Sequence, residues 1–540
     1  MQFFRNAMKC LIAEALLLVP AQAWADVTPR ALISDGMVLQ QGREVNIWGR
    51  AEPGEKVTVR FRDQEQSTVS SSDGKWRIRV DSKQAGGPFP LTIAGNNTIA
   101  LKNVFVGEVW VCSGQSNMWW PVATRPGAKE LAGTENPAIR LFTVPQRSVD
   151  APTSELEGQW RECGPDTLVN FSAVAYYFGS RIQATQNVPV GLIHASVGGT
   201  GVGAWTSART LEEDPELQGM RDTNAKAAEA SARNLERLRP EIERYRAAVA
   251  KAEKDGTPPP APPRGLNPPS PTTSRLYNGM IAPLQPFNIR GVIWYQGEAN
   301  VSRAGDYQSL FSAMIRGWRR EWGQGDFPFL FVQLAPFKNI VDQPPLRSEW
   351  AELREAQLRT SLTVPQTGMA VITDWGHEND IHVKQKRPVG ERLALIARAL
   401  VYGEKVTYSG PAYSGMKVRD NQAVLSFTHV GSGLAAKSLV LEDLVQDARS
   451  GAKGGALHVA TNEASAAKIP LQGFSIAGED RKFVNAQAEI RGDTVVVSSP
   501  QVDKPVAVRF GWADYPTGNL FNMEGLPASP FRTDDWDFTR

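Results

Sequence analysis

The alternation of apolar and polar residues divides the chain into three regions. From residue 26 to 106, short segments alternate apolar with polar residues between Pro, Gly and Asp turn signals, which predicts the strands of a small β-sandwich. The same texture returns from residue 403 to 512. The segments that carry it are Val45–Gly49, Lys56–Arg62, Lys75–Val80, Ala423–Thr428, Val484–Ile490 and Thr494–Ser498. We therefore expect a β-sandwich-like domain on either side of a central region.

In the central region, residues 107–402, continuous apolar runs alternate with amphipathic helical stretches. Runs without alternation predict strands buried on both faces, and helices between them predict a parallel sheet covered on both sides. The expected strands are Val109–Cys112, Ala138–Val144, Val188–Ala195, Gly291–Tyr295, Phe327–Leu334 and Gly368–Thr373; the expected helices are Ser172–Gln186, Ser309–Trp322 and Val389–Val401. The fold class is thus α/β, and a ligand site would lie at the carboxyl ends of the strands.

Two segments depart from these patterns. Residues 211–273 form an insertion in which Ala225–Lys254 carries opposite charges at helical spacing, so an exposed helix is expected. Thr257–Pro263 and Asn267–Pro271 have the composition of a polyproline-type linker. A solvated excursion is the simplest interpretation, and a partner surface or a rim over the site is the alternative. The last segment, residues 513–540, is loop-like and is expected to pack across the other domains.

Residues 1–25 have the features of an export signal. Arg5 and Lys9 precede the apolar stretch Leu11–Pro20, and Ala23-Trp-Ala25 suits cleavage after Ala25. The apolar stretch is too short to span a bilayer comfortably, and no later stretch reaches about 20 apolar residues. We expect the mature protein to lie in the periplasm or outside the cell, without a membrane anchor.

Composition narrows the possible functions. The 540 residues suggest two to four domains, and 59 basic against 57 acidic residues give a formal net charge of +2. No basic block with interleaved aromatics occurs, so nucleic-acid binding is not indicated. The five His and three Cys show no zinc-ligand spacing. Cys112 and Cys163 would remain after cleavage; an oxidising compartment permits a bridge between them, and two isolated buried thiols fit equally well.

A candidate nucleophile lies in Val109–Met118, where a short apolar run ends abruptly in small and polar residues. Ser116 would lie at a strand-to-helix turn, beside the free N–H groups of a helix start. Such donors can stabilise an oxyanion, which makes this serine a candidate nucleophile. Because serine also caps helices, partners elsewhere in the chain have to decide between the two roles.

The best candidate base is His382, in a polar loop between an apolar strand and the helix that starts near Pro388. A loop in that position can direct the imidazole toward the carboxyl edge of the sheet. Asp380 is our choice for the acid that orients it, with Asp374 and Glu378 as alternatives. Helix capping remains open as the role of Asp380.

Further oxyanion donors follow two other strands. The glycine-rich stretch from Ala195 lets the backbone approach a ligand, so the N–H of Gly198 or Gly199 could complement that of Ser116. Gln296 lies just past another strand and could donate through its side-chain amide, with Asn300 in reserve. A simple flexible turn is the alternative for the glycines.

These motifs resemble the sialate O-acetylesterase-like family of the SGNH hydrolases. The resemblance rests on four ordered blocks at residues 114–118, 198–205, 295–300 and 380–393, and it extends over most of the mature chain. It implies a flavodoxin-like sheet and de-acetylation of sialic acids or plant cell-wall glycans, with no metal or cofactor. It further implies Ser116 as nucleophile, His382 as base, and an oxyanion hole of the Ser116 and Gly199 N–H groups and Gln296.

One position departs from the broader SGNH pattern, in which the acid stands three residues before the histidine. This chain has Asn379 there, so the assignment of Asp380 rests on the residues alone. The resulting hypothesis is acyl transfer from an acetylated carbohydrate through an acetyl-serine. A lipase-like esterase and a non-catalytic carbohydrate-binding protein are the alternatives, although no G-x-S-x-G elbow surrounds Ser116. The oligomeric state is left open.

Aromatic and basic residues near the motifs are candidates for substrate contact. Aromatic faces suit the C–H faces of sugars, yet core packing is expected for any single tryptophan. The candidates are Trp119, Trp120, Trp205 and Trp294, of which we select Trp205 together with Asn300 as substrate-binding. Arg303 could bind the carboxylate of a sialic acid, or it could form an ion pair with Asp306.

Overall fold

The structure is a computed structural model that describes residues 26–124, 128–255, 257, 274–444, 454–459 and 469–537. The predicted signal peptide, residues 1–25, lies outside the described residues. So does the predicted polyproline segment, except for Thr257.

The first part of the chain forms short strands that pair antiparallel, apart from β2, which runs parallel to β8. In β6, for example, exposed and buried residues alternate from Lys75 to Val80, so one face of the strand covers the core. The strands are β1 Thr28–Pro29, β2 Val38–Gln40, β3 Glu44–Arg50, β4 Lys56–Phe61, β5 Gln64–Val69, β6 Lys75–Asp81, β7 Gly86–Ala94 and β8 Thr98–Gly114. Strand β8 has 17 residues and crosses the expected domain boundary at 106/107. The N-terminal sheet and the central sheet therefore share one continuous strand.

The central sheet is parallel. Its further strands are β9 Asn136–Thr143, β10 Arg161–Cys163, β11 Val190–Ser196, β12 Gly291–Tyr295, β13 Phe329–Val332 and β14 Thr367–Ala370. The order is β10-β9-β11-β8-β12-β13-β14, parallel throughout except for the edge strand β10. Counted from β8, the order β11-β8-β12-β13-β14 is the 2-1-3-4-5 order of flavodoxin-like sheets. Its switch point, where ligands bind in such folds, lies between β8 and β12.

Helices cover both faces of this sheet. They are α1 Ser116–Trp119, α2 Ala128–Leu131, α3 Pro165–Leu168, α4 Ala173–Gln186, α5 Ala208–Glu213, α6 Gln218–Asp255, α7 Ala304–Trp322, α8 Glu349–Thr363 and α9 Arg387–Leu400. Short 3₁₀ turns lie at Val122–Thr124, Val202–Trp205, Pro215–Leu217, Ala282–Leu284 and Glu298–Arg303, and a π turn lies at Tyr277–Ile281. Helices α4 and α9 pack together on one face, and α7 and α8 on the other. The predicted α/β class, with helices on both faces, is confirmed.

Side chains of β8 divide between the two cores as the pleat requires. Trp110 and Cys112 are fully buried on the face covered by α4 and α9. Val109 and Val111 are fully buried on the opposite face, in a core that also contains the N-terminal sheet. The absence of an alternating pattern in this part of β8 therefore follows from burial on both sides.

The insertion contains helix α6, which includes the whole of the predicted helix Ala225–Lys254. At 1.5 Å per residue its 38 residues extend over roughly 57 Å. Leu217, just before it, is fully buried and attaches its base to the α/β domain.

The C-terminal region is again built of short strands: β15 Ala412–Arg419, β16 Gln422–Thr428, β17 Leu434–Ala436, β18 Leu439–Leu444, β19 Gly454–Val459, β20 Phe474–Ala477, β21 Val484–Asn485, β22 Gln487–Arg491, β23 Thr494–Ser498, β24 Ala507–Phe510, β25 Leu520–Asn522 and β26 Phe531–Arg532. The segment from residue 513 contacts the α/β domain through Arg354, which donates to the carbonyl oxygens of Ala513 and Asp514 at 2.8 Å each. It also pairs with the β-region through β25 and β26.

Cys112 and Cys163 are both buried and unbridged. Burial raises the pKa of each thiol, to about 11 for Cys163. Within the described residues, no helix is both long enough and apolar enough to span a membrane.

Candidate active site

The turn after β8 presents Ser116 at the switch point of the sheet. Gly114 has φ 136°, and a Cβ there would overlap the carbonyl oxygen of Tyr295, so only glycine permits this approach of β8 to β12. The N–H of Gln115 donates to that same carbonyl at 2.9 Å. Because Ser116 is the first residue of α1, its own N–H lies outside the hydrogen bonds of the helix.

The structure brings Ser116, His382 and Asp380 together in one line of hydrogen bonds. The Nε2 atom of His382 lies 3.1 Å from Oγ of Ser116. On its other side, Nδ1 lies 3.1 Å from Oδ1 of Asp380, which also accepts the backbone N–H of His382 at 2.9 Å. Burial alone would raise the pKa of Asp380, but these hydrogen bonds from His382 hold it below its usual value. The carboxylate therefore stays charged beside the imidazole at neutral pH.

The two alternative acids are engaged elsewhere. Both carboxylate oxygens of Asp374 accept hydrogen bonds from Arg392, at 2.6 Å each. The Oε1 atom of Glu378 accepts the N–H of Ile340 at 3.0 Å. In this arrangement Asp380 is the carboxylate that contacts the imidazole.

The glycine-rich loop after β11 reaches the nucleophile turn. A Cβ at Gly198 would lie 3.5 Å from the Cβ of Ser116, and Gly199 has φ 70° with open space where its Cβ would be. Gly198 therefore lies against the nucleophile turn, and Gly199 follows it in the same loop with open space on its Cβ side.

The prediction that the amide of Gln296 faces the oxyanion needs correction. Gln296 is fully buried, and its two amide hydrogens are used by the carbonyl oxygen of Thr200 at 3.1 Å and by Oδ1 of Asn300 at 2.7 Å. Its Oε1 accepts the hydroxyl of Tyr307 at 3.0 Å. Oδ1 of Asn300 also accepts the N–H of Val202 at 3.0 Å, which fixes the plane of that amide. Among the described residues none accepts a hydrogen bond from Nδ2 of Asn300, the donor held in reserve.

A side chain without a predicted role, Asn117, connects the three segments of the site. Its Nδ2 donates to Oε1 of Glu298 at 2.6 Å and to the carbonyl oxygen of Ile381 at 3.1 Å. Its Oδ1 accepts from Nζ of Lys386 at 2.6 Å. Residue 117 follows the nucleophile, residue 381 precedes the base, and residue 298 follows β12. One amide therefore fixes the relative positions of the nucleophile turn and the histidine loop.

Of the two charged partners of Asn117, Lys386 is buried and Glu298 is half-buried. Lys386 is 1% exposed, and its Nζ lies 5.3 Å from the ring centre of Tyr295. Burial raises the pKa of Glu298, whereas hydrogen bonds, including that from Asn117, and the charge of Lys386 lower it. All three residues occur inside the motifs, at 114–118, 295–300 and just after 382. The local sequence, however, shows no sign that they touch one another.

One of the predicted substrate contacts, Trp205, is also corrected, and the structure shows the ion pair that was the alternative role of Arg303. Trp205 is fully buried, and its Nε1 donates to Oγ1 of Thr200 at 2.9 Å, so it supports the glycine-rich loop and cannot touch a ligand. Arg303 forms the alternative ion pair, donating to Asp306 at 3.0 and 2.7 Å. Trp294 is fully buried as well, whereas Trp119 is 42% exposed.

This arrangement supplies what acyl transfer requires. The imidazole can take the proton of the Ser116 hydroxyl, the Asp380 carboxylate can stabilise the imidazolium that forms, and the N–H of Ser116 at the start of α1 can donate to the developing oxyanion. Asp380 and His382 are two residues apart, so the base and its acid lie in one loop.

Comparisons with known proteins agree with this chemistry. The family model described as "Carbohydrate esterase, sialic acid-specific acetylesterase" matches residues 267–398. Sialate O-acetylesterases from Rattus norvegicus and Mus musculus are 31% and 32% identical to this chain, over 74% of it and 78% of their own length. The crystal structure of a carbohydrate acetylesterase from Xanthomonas citri superposes with a TM-score of 0.74 at 35% identity, covering 94% of this chain and 100% of that one.

We expect Asn117→Ala to lower kcat for hydrolysis of an acetyl ester by about 100-fold with little change in KM, because small displacements of reacting groups cost rate rather than binding. Free energy of unfolding should fall by about 3 kcal/mol, since buried partners of Asn117 lose their hydrogen bonds. Steady-state kinetics and urea unfolding measure the two effects.

The matched control is Asn421→Ala, because Asn421 lies exposed in a turn of the C-terminal region. It should keep the wild-type kcat and unfold within about 0.5 kcal/mol of the wild type. A kcat for Asn117→Ala within threefold of the wild-type value would contradict a positioning role.

Proposed function

The chain belongs to the sialate O-acetylesterase family and is a carbohydrate O-acetylesterase, and we propose that it works through an acetyl-serine formed on Ser116. The observation that carries this proposal is the line of hydrogen bonds from Ser116 through His382 to Asp380, at 3.1 Å for each side-chain step. Membership of a carbohydrate esterase family disfavours a lipase-like esterase and a non-catalytic carbohydrate-binding protein.

The proposed reaction has two halves. His382 removes the proton of the Ser116 hydroxyl as its Oγ attacks the acetyl carbonyl, and the sugar hydroxyl then leaves with that proton. Water, activated by the same imidazole, hydrolyses the acetyl-serine and releases acetate. Asp380 stays ionised throughout and holds the imidazole by its Nδ1–H.

For the oxyanion we propose three donors: the N–H groups of Ser116 and Gly199 and the Nδ2 group of Asn300. This assignment replaces Gln296, whose amide hydrogens are both engaged. Gln296 then acts as a positioning residue, because it holds Oδ1 of Asn300 and so directs the Nδ2 side of that amide toward the space before Ser116.

The acetylated sugar itself is proposed as a class, sialic acid or a hemicellulose such as xylan or xyloglucan. A sialic acid carries a carboxylate, and Arg303, the cation suggested for it by the sequence, is already paired with Asp306. Acetate release from O-acetylated sialic acid, acetylated xylan and acetylated xyloglucan distinguishes these substrates.

We expect Ser116→Ala and His382→Ala to lower kcat for acetate release by at least about 1,000-fold, because each removes a group that makes or breaks the bond to the acyl carbon. For Asp380→Asn we expect a loss of about 1,000- to 10,000-fold, since the amide stabilises the wrong tautomer of the imidazole. Acetate is measured enzymatically with the best substrate of the panel.

Asp374→Asn and Glu378→Gln are the matched controls for Asp380→Asn, since both change an acid in the same loop. A larger loss of kcat in either control than in Asp380→Asn would contradict the assignment of the acid. Wild-type activity in Ser116→Ala would refute the acetyl-serine.

Asn300→Asp tests the third oxyanion donor. The aspartate keeps an oxygen to accept from Gln296 and Val202 but has no N–H, so we expect kcat to fall by about 100- to 1,000-fold with KM nearly unchanged. Arg303→Gln, three residues further along the same turn, is the control and should keep its kcat. A kcat for Asn300→Asp close to that of the wild type would show that Nδ2 makes no catalytic contact.

We also propose that the enzyme acts in the periplasm or outside the cell, on the basis of the basic, apolar and small-residue pattern of residues 1–25. N-terminal sequencing of the protein from the culture medium or a periplasmic extract should give a chain that starts at Asp26. An intact chain found in the cytoplasm would overturn this location.

A further inference from the structure

Trp119 stands apart from the other tryptophans near the site. Its side chain is 42% exposed, whereas Trp110, Trp205 and Trp294 are fully buried. Single exposed apolar residues are common on protein surfaces and carry no meaning by themselves. The position of Trp119 relative to the nucleophile is what gives its exposure significance.

Trp119 and Trp120 share one turn of helix with Ser116. Residues three positions apart lie on the same side of a helix, which places Trp119, the last residue of α1, on the side of Ser116, and Trp120 follows as the C-cap. The N–H of Trp120 donates to the carbonyl oxygen of Ser116 at 3.0 Å, which closes this turn. The exposed ring is therefore attached to the backbone that positions the reacting hydroxyl.

Ring contacts connect the exposed indole to the catalytic base. The rings of Trp119 and Trp120 lie 5.7 Å apart with planes inclined at 61°. The ring of Trp120 meets the imidazole of His382 edge-on, at 5.3 Å and 71°. Trp120 thus lies between the catalytic base and Trp119, and Trp119 is the exposed end of this row of rings.

We propose, on the basis of the esterase function proposed above, that the indole of Trp119 stacks on the pyranose ring that carries the acetyl ester. Indole offers a rigid apolar face, and one face of a pyranose consists of C–H groups, so the two are complementary. The acetyl group of a sugar held in this way would reach Ser116, while the sugar hydroxyls stay in water. Trp120 supports the platform from behind and is itself a positioning residue.

The two halves of the reaction separate this role from catalysis. The sugar is present only until the acetyl-serine forms, so a sugar platform affects capture and acylation, and leaves hydrolysis of the acetyl-serine untouched. An ester of a small alcohol, such as ethyl acetate, gives the same acetyl-serine without a pyranose to stack.

The measurement is kcat/KM for the best acetylated saccharide of the panel divided by kcat/KM for ethyl acetate. In Trp119→Ala this ratio should fall about tenfold, chiefly through KM for the saccharide, which is the scale expected for loss of one stacking contact. Trp119→Phe keeps a smaller ring and should retain at least a third of the wild-type ratio. Leu362→Ala removes a 73% exposed side chain from α8 and should leave both activities unchanged.

An unchanged ratio in Trp119→Ala would overturn the proposal. This includes the outcome in which both activities fall equally, which is expected if the indole only supports His382. An equal loss of the ratio in the Phe and Ala variants would also contradict stacking. Failure of the stacking proposal can be distinguished from failure of the proposed function, because the proposed function fails if Ser116→Ala keeps its activity.

Discussion

The geometry of the site depends on the hydrogen bonds of the Asn117 amide. The nucleophile, the base and the segment after β12 come from three distant parts of the chain, and each follows a different strand of the parallel sheet. Asn117 belongs to the first of them and bonds to the other two, through Glu298 at 2.6 Å after β12 and through Ile381 at 3.1 Å and Lys386 at 2.6 Å in the histidine loop. The Ser116 hydroxyl contacts His382 through a single hydrogen bond of 3.1 Å. The bonds of the neighbouring amide therefore determine the distance between the hydroxyl and the imidazole.

Burying charged groups in this arrangement costs free energy, and the directional hydrogen bonds that it provides explain why it occurs beside the nucleophile. Taking a lysine and a glutamate out of water is unfavourable unless their hydrogen-bonding groups are satisfied, and packing hydrophobic residues there instead would often be as stable. A hydrophobic contact, however, has no direction, whereas an amide fixes both distance and orientation. Lys386 and Glu298 therefore stabilise one specific geometry. The same reasoning applies to Gln296, whose side-chain amide forms hydrogen bonds with Thr200, Asn300 and Tyr307.

Local sequence patterns predicted the parts of the structure that depend on local physics. Strands buried on both faces are continuous apolar runs, so β11 and β12 were predicted close to their observed bounds. Of β8 only the doubly buried part, Val109–Cys112, was predicted, because its first residues alternate in the N-terminal sheet. Helix α8 was not predicted, because Arg354, Gln357 and Thr360 on its buried side obscure the amphipathic pattern. The site residues at the strand ends were predicted to lie together because the carboxyl ends of parallel strands meet at one edge of the sheet. Which of them face the ligand could not be predicted: Trp205 and Gln296 turn inward to partners that only the folded chain brings near.

The site therefore has two sides with different physics. Behind Ser116 lies a network of polar groups around Asn117, in which removal of the amide takes a hydrogen bond from each partner. In front lie Trp120 and the exposed Trp119, where contacts are apolar, exposed to water and replaceable by rings of other sizes. In the proposed assignment, the chemistry of the acetyl group belongs to the first side and recognition of the sugar to the second. On that assignment, a substitution at the aromatic side would change the preferred sugar without disturbing the hydrogen bonds that position the reacting groups.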